Sequence, residues 1–215
     1  MASEGILADT EILSALADNT IEITPFRAEQ VNPTSYDVTL GDHLAIYDKW
    51  VRCVSNDKDI EDGFYWHAST ADWQILDPKN DIPTNAGFLR TFKINPEVGW
   101  VIRPGIGYLM STRERVKTSK YVPIIDGKST VGRLFVSVHQ TAGYGDPGFD
   151  GQFTLEVTAT HPVRLYPGML IGQVRFHTIC GQVGRLYGER GAYTYDLASG
   201  PVGSAFRRLF IPKDP

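Results

Sequence analysis

Ile12, Leu13 and Leu16 recur at helical spacing among polar residues near the start of the chain. Asp9 or Thr10 can cap this segment and Asn19 can end it, which predicts a short N-terminal helix. The period then changes to two. Ile21 and Ile23 alternate with Glu22 and Thr24 ahead of Pro25, and Tyr36, Val38 and Leu40 alternate with Asp37 and Thr39. Both runs predict half-buried strands, the second followed by a turn at Gly41-Asp42. Residues 50–87 are less regular, with Trp50, Trp66 and Trp73 among many polar residues. They read as an elaborated loop or hairpin whose tryptophans cover one end of the core.

From Gly87 onward, short strand-like runs are divided by turn residues. Arg103-Pro104-Gly105 and Tyr166-Pro167-Gly168 each place Pro and Gly where a type II turn needs them. One firm helix with many short strands predicts a mostly β fold, a barrel or a sandwich. No repeat or linker divides the 215 residues, so they read as a single domain. The tail from Tyr187 to Pro215 carries several glycines and scattered apolar residues, the composition of a mobile flap or of a frayed terminus.

Composition narrows the class. Hydrophobic residues make up 42% and charged residues 21%, enough for one continuous core. A net charge of -4 argues against a protein that binds nucleic-acid phosphates. No apolar run approaches the ~20 residues that span a bilayer, and the start lacks a secretory signal. Cys53 and Cys180 cannot form a disulfide framework, which suggests a reducing, cytoplasmic setting. No Cys-x-x-Cys pair occurs, and His43, His67, His139, His161 and His177 fall singly, so no tightly held catalytic zinc is expected.

Three segments could carry chemistry. Asp126-Gly-Lys-Ser-Thr-Val-Gly-Arg133 combines glycines, two hydroxyls and two cations, which suits either an anion cradle or a polar turn. It is not a P-loop. Ala142-Gly-Tyr-Gly-Asp-Pro-Gly-Phe-Asp-Gly151 is a loop whose backbone passes close to something, or a long hairpin turn. Asp146 within it could orient a water or a ribose hydroxyl. In Gln152-Phe-Thr-Leu-Glu-Val-Thr158, Phe153, Leu155 and Val157 share one strand face, leaving Thr154, Glu156 and Thr158 on the polar face. Glu156 there is a solvated strand residue or a general base, the latter requiring a partly enclosed carboxylate within reach of its water.

In this order and spacing the three segments resemble the dCTP deaminase family of the trimeric dUTPase-like superfamily. Ile6-Leu-Ala-Asp9, Ile23-Thr-Pro-Phe26, Asn32-Pro-Thr-Ser-Tyr-Asp-Val-Thr-Leu-Gly41 and Pro167-Gly-Met-Leu-Ile-Gly-Gln-Val-Arg-Phe176 look like further motifs of that family. The resemblance implies a dUTPase-like distorted, jelly-roll-like β-barrel with a short N-terminal helix. It also implies a homotrimer with active sites between subunits. The deaminase glutamate would be Glu156, general base and acid for a water attacking C4 of cytosine, with no metal on that water. Ser129 and Arg133 match the anion-binding motif, Ala142 the carbonyl that holds the water, and Asp146 the aspartate beside the deoxyribose. Lys128, Thr130 and Gly132 would line the phosphates, with Mg²⁺ bound through the nucleotide. Val131, Thr154, Leu155 and Gln173 belong to the same substrate-binding set, and Tyr187 matches a tyrosine that closes over the site. The substrate implied is dCTP or dUTP, and dTTP is the candidate inhibitor.

The sequence departs from that pattern in places. Thr130 and Gly132 replace a Ser and an Ala, Phe135 stands where Gly is common, and Thr194 and Ala198 fall where a Lys and a Gln often grip the triphosphate. Ala142-Gly-Tyr-Gly-Asp146 and Gln173 resemble the bifunctional members that yield dUMP, with Gly143 expected to leave space for a second water. Rival readings are a dUTP pyrophosphatase without deaminase activity and a non-catalytic nucleotide-sensing trimer. Glu156 discriminates against the first, because trimeric dUTPases usually have an apolar residue at that position.

Overall fold

The computed structural model describes residues 5–47, 89–141, 143–187 and 200–201. The segment with Trp50, Trp66 and Trp73, Cys53, Ala142 and nearly all of the tail lie outside the described residues. The N-terminal helix α1 spans Asp9–Ala17, and its buried residues are Ile12 and Ala15, with Leu16 packed partly against the core. Leu13 is 46% exposed, so the apolar stripe passes through Ala15 instead. The N-cap is Ala8, without a side-chain bond, and Asp9 and Glu11 lie in the first turn, where carboxylates favour the helix dipole. Asn19 takes a left-handed conformation (φ 59°) and Asp18 accepts bonds from the Thr20 N–H and hydroxyl, which together end the helix.

Eleven strands follow among the described residues: β1 (Ile21–Thr24), β2 (Val31–Asn32), β3 (Ser35–Tyr47), β4 (Leu89–Lys93), β5 (Trp100–Ile102), β6 (Tyr108–Thr118), β7 (Val122–Gly127), β8 (Val136–Ser137), β9 (Phe149–Ala159), β10 (Val163–Leu165) and β11 (Leu170–His177). A 3₁₀ turn, Ala28–Gln30, precedes β2, and a one-turn helix α2, Ser129–Gly132, lies between β7 and β8. The main sheet runs β7-β11-β3-β6-β9-β8, with β1 on β6 and β2 and β4 on β3. All pairings are antiparallel, including that of β10 with β5. The result is mostly β and nearly closed, a barrel-like sheet around one core in which Tyr36, Leu40, Tyr108, Met110, Leu155 and Phe176 are fully or almost fully buried. Each such side chain contributes roughly 1.5–3 kcal/mol by leaving water.

Both Pro-Gly turns form, with Gly105 at φ 76° and Gly168 at φ 81°, and the second is closed by Met169 N–H donating to the Tyr166 carbonyl at 3.2 Å. The turn expected at Gly41-Asp42 does not form, because β3 runs straight through it. Gly41 faces Ser111 on β6 so closely that a Cβ would lie 2.9 Å from the Ser111 hydroxyl. The glycine therefore serves strand packing, at a shift in register between Leu40 and Leu44.

The polar side of β3 is also not solvated. Asp37 and Thr39 are buried, as is Glu114 on β6. Here β6 bulges away from its neighbours, its pairing with β9 shifting between Ser111 and Arg115. The Glu114 carboxylate fills the gap as a substitute acceptor: Oε2 takes the Thr39 N–H at 2.8 Å and Oε1 takes the Thr39 hydroxyl at 2.8 Å. Gln30 Nε2 donates to Glu114 Oε1 at 3.3 Å and to the Asp37 carbonyl at 2.6 Å. This buried polar network survives because Glu114, Thr39 and Gln30 satisfy one another.

Candidate active site

The chain between β7 and β9 makes one excursion that carries most of the candidate residues. It leaves the sheet at Gly127, turns through α2, and returns along β9 as β8, where Val136 pairs with Ala159 and Ser137 with Thr158. In α2 the Gly132 N–H donates to the Lys128 carbonyl at 2.9 Å and the Arg133 N–H to the Ser129 carbonyl at 3.0 Å. Ser129, Thr130, Gly132 and Arg133 are exposed, while Val131 is buried and anchors the turn. The Arg133 guanidinium makes no ion pair or hydrogen bond among the described residues, so its charge is free for an anion. Val131 contributes packing and main chain rather than a side-chain contact.

Glu156 projects from the polar face of β9, as the alternation predicts, and is half-buried. Its Oε2 accepts the Gln140 N–H at 3.2 Å, and the Gln140 side chain donates to the Glu156 carbonyl and the Thr158 hydroxyl. Sequence reasoning passed over Gln140, since no motif spacing marks it. It closes over β9 only because β8 runs beside that strand. Thr154 shares the polar face, whereas Leu155 is fully buried on the opposite face and offers a ligand only its backbone. No hydrogen bond or ion pair among the described residues joins Glu156 to Ser129 or Arg133.

After β8 the loop turns back onto the edge of β7. Ile125 N–H donates to the Gly143 carbonyl at 2.7 Å and Gly145 N–H to the Pro123 carbonyl at 2.8 Å, with Ile124 bridging Tyr144. A Cβ on Gly143 would lie 2.4 Å from the Ile125 carbonyl oxygen, and one on Gly145 2.9 Å from the Pro123 ring. The close neighbour of these glycines is thus a strand. The space expected at Gly143 for a second water is filled by Ile125, a correction to that rationale. Asp146 is exposed at the end of this loop, and its carbonyl accepts the Phe149 N–H at 3.0 Å. Ala142 lies outside the described residues.

Three elements complete the surroundings. Gln173 on β11 stands between Asp37 on β3 and Asp126 on β7, and the Ser35 hydroxyl donates to its Oε1 at 3.3 Å. Asp126 Oδ2 is paired with Arg175 at 2.8 Å, and its Oδ1 lies 3.6 Å from His139 Nε2. Lys128 Nζ is paired with Asp37 Oδ2 at 2.5 Å. Tyr187 is half-buried at the far side of the Asp146 loop, its N–H donating to the Pro147 carbonyl at 2.7 Å and its ring 6.3 Å from Phe149. Gly148 (φ 93°) permits this crossing, since a Cβ there would lie 2.8 Å from Leu186. Beyond Tyr187 only Gly200 and Pro201 are described, Gly200 donating its N–H to Gln152 Oε1 at 3.1 Å. The flap expected at 187–215, with Thr194 and Ala198, otherwise lies outside the described residues.

Residues 6–179 match the family model described as dCTP deaminase-like. The chain belongs to this family. Among similar proteins, "dCTP deaminase, dUMP-forming" of Clostridium beijerinckii is 38% identical over 177 residues, 82% of this chain and 84% of that protein. The protein of the same name from Bifidobacterium longum is 35% identical over 204 residues, 93% of each chain. A solved 2'-deoxycytidine 5'-triphosphate deaminase from Agrobacterium tumefaciens superposes with a TM-score of 0.56 at 20% identity, covering 84% of this chain and 50% of the other. That likeness supports the fold of this family member. The mapped positions Ser129, Arg133, Asp146 and Glu156 lie within the matched span.

Proposed function

We propose that this protein deaminates dCTP at cytosine C4 and releases pyrophosphate, yielding dUMP. The observation that carries the proposal is Glu156: a half-buried carboxylate on the polar face of β9, oriented by the Gln140 N–H, in a chain whose relatives are named dUMP-forming dCTP deaminases. Glu156 takes a proton from water as the hydroxide adds to C4, then delivers it to the departing amine, so that dCTP and water give dUTP and ammonia. The exposed hydroxyl of Ser129 and the uncommitted charge of Arg133 suit an anionic substrate, and Asp146 suits the sugar or a second water. A second hydrolysis then gives dUMP and pyrophosphate.

Mg²⁺ enters this reading through the nucleotide phosphates. Its chemistry would be neutralisation of charge on the leaving pyrophosphate. We assign the working state to a homotrimer with sites shared between subunits. Leu134, Phe135 and Tyr144, apolar side chains left exposed on the excursion between β7 and β9, support this. Cytoplasmic residence fits the free, exposed Cys180, and dTTP is the inhibitor to assay.

The test is an assay of ammonia and nucleotide products from dCTP with Mg²⁺. Ammonia and dUMP in equal amounts support the proposal. Stable dUTP would remove the second step, and dUMP formed from dUTP without ammonia from dCTP would leave a pyrophosphatase. Glu156→Gln should lower ammonia release by about 10²–10⁴-fold while nucleotide binding persists. Ammonia at the wild-type rate from that variant would take Glu156 out of the mechanism.

A further inference from the structure

Lys128 looks from sequence like a ligand for phosphate, yet its ammonium is already engaged. Nζ lies 2.5 Å from Oδ2 of Asp37, and the two side chains are 22% and 8% exposed. The other carboxylate oxygen of Asp37 is buried without a partner. Drawing Lys128 away toward a phosphate would leave a buried carboxylate with neither oxygen bonded, the most costly way to break an ion pair.

Asp37 is fixed from its other side as well. Its carbonyl accepts Gln30 Nε2 at 2.6 Å, Gln30 also bonds Glu114, and Glu114 holds the neighbouring Thr39 N–H. A continuous polar rod therefore runs from the bulge of β6, through β3, to Lys128. That residue immediately precedes α2, and its carbonyl receives the Gly132 N–H. Whatever fixes Lys128 fixes where α2 begins, and with it Ser129 and Arg133.

We propose that Asp37 is a positioning residue for the nucleotide site. Lys128 acts as a strut held by Asp37 that sets the start of α2, and with it the placement of Ser129 and Arg133, rather than as a ligand for phosphate. This inference rests on the deaminase reading of the same site. Its consequence is a split between steady-state constants that a purely electrostatic role would not produce. If Lys128 bound phosphate and Asp37 merely competed for it, Asp37→Asn would free the ammonium, lower KM for dCTP and leave kcat unchanged.

The experiment compares wild type, Asp37→Asn, Lys128→Met, Lys128→Arg and the Asp37→Asn/Lys128→Met double variant in ammonia release from dCTP. Thermal melts check folding. The strut predicts a fall in kcat of about 10²-fold for Asp37→Asn and for Lys128→Met, since displacing a site by ~1 Å costs that much, with KM changed less than about threefold. The double variant should be no worse than either single one, because the strut is lost only once. Lys128→Arg keeps the pair and should retain most of kcat, and it remains informative where Asp37→Asn does not fold. Lower KM at wild-type kcat for Asp37→Asn, or raised KM at wild-type kcat for Lys128→Met, overturns the inference. A wild-type chain that releases no ammonia from dCTP overturns the deaminase reading itself, and the inference with it.

Discussion

Gly143 offers the sharpest test of how the candidate site is held. Alanine there would place a Cβ 2.4 Å from the Ile125 carbonyl oxygen, where ordinary contact begins near 3.4 Å, so loop and strand must part by about 1 Å. That separation breaks the 2.7 Å bond from Ile125 N–H to the Gly143 carbonyl and pulls on the 2.8 Å bond from Gly145 N–H to Pro123. Net loss of a backbone bond costs about 1 kcal/mol, and forcing an extra carbon into a packed site costs about 1–3 kcal/mol. The expected destabilisation is therefore about 2–4 kcal/mol, a fall in Tm of roughly 4–16 °C for a chain of this size. Where the loop yields locally instead, Tm changes little, amide exchange at Ile125 and Gly145 accelerates, and ammonia release falls because Asp146 is displaced. Calorimetry, hydrogen exchange and the ammonia assay on Gly143→Ala read all three. Wild-type values in every one would refute the argument that the glycine exists for contact with β7.

Two further outcomes are expected. Glu114→Ala strips the acceptor from the Thr39 N–H, the Thr39 hydroxyl and Gln30 Nε2 in a buried site, at about 1–3 kcal/mol for each donor left unpaired. Urea unfolding should show a loss of at least ~2 kcal/mol, and an unchanged midpoint would mean that water or a rearranged neighbour takes over. Tyr36 and Tyr108 are each pushed up to about 12, by burial above all. Their neutral forms favour the folded chain, so this stability is complete below the ordinary tyrosine range near 10 and is lost as pH rises from there to about 12, on the order of 2 kcal/mol for each. Absorbance titration should find these two ionising last or only on unfolding, whereas early ionisation of every tyrosine would contradict their burial.

Much of the fold was legible because periodicity reports which face of an element meets the core. The run Phe153, Leu155, Val157 gave β9 its inner face and left Glu156 on the outer one, as observed. The Pro-Gly turns were legible because positive φ has few solutions in sequence. Two features misled the same reasoning. Gly41 resembles a turn residue, yet its role is to admit Ser111, a contact made by a strand remote in sequence. Asp37 and Thr39 look like the solvent face of an amphipathic strand, yet they meet Glu114 and Lys128. Pattern reading assumes that polar means exposed, and it has no means of pairing residues 75 or 91 positions apart.

The site shows the same division. Ser129, Arg133, Asp146 and Glu156 are candidates chosen as residue types in ordered motifs, whereas the bonds around them were not legible in the sequence. Gln140 holds Glu156 through a backbone N–H, a group that every residue but proline carries and that no motif can advertise. Phe135 is the converse case. It stands where the family resemblance leads one to expect Gly, and the backbone there has φ 54°, so the position keeps a conformation that glycine adopts freely and an aromatic residue adopts at a cost of about 1–2 kcal/mol. Its ring is 65% exposed yet lies edge-on to His161 at 6.0 Å, and its carbonyl accepts the Thr160 N–H. The turn is thus over-determined by β8 and β9 on either side, which is what lets the chain keep a left-handed residue without glycine. A motif records the residue a backbone prefers, and the surrounding bonds decide whether that preference must be obeyed.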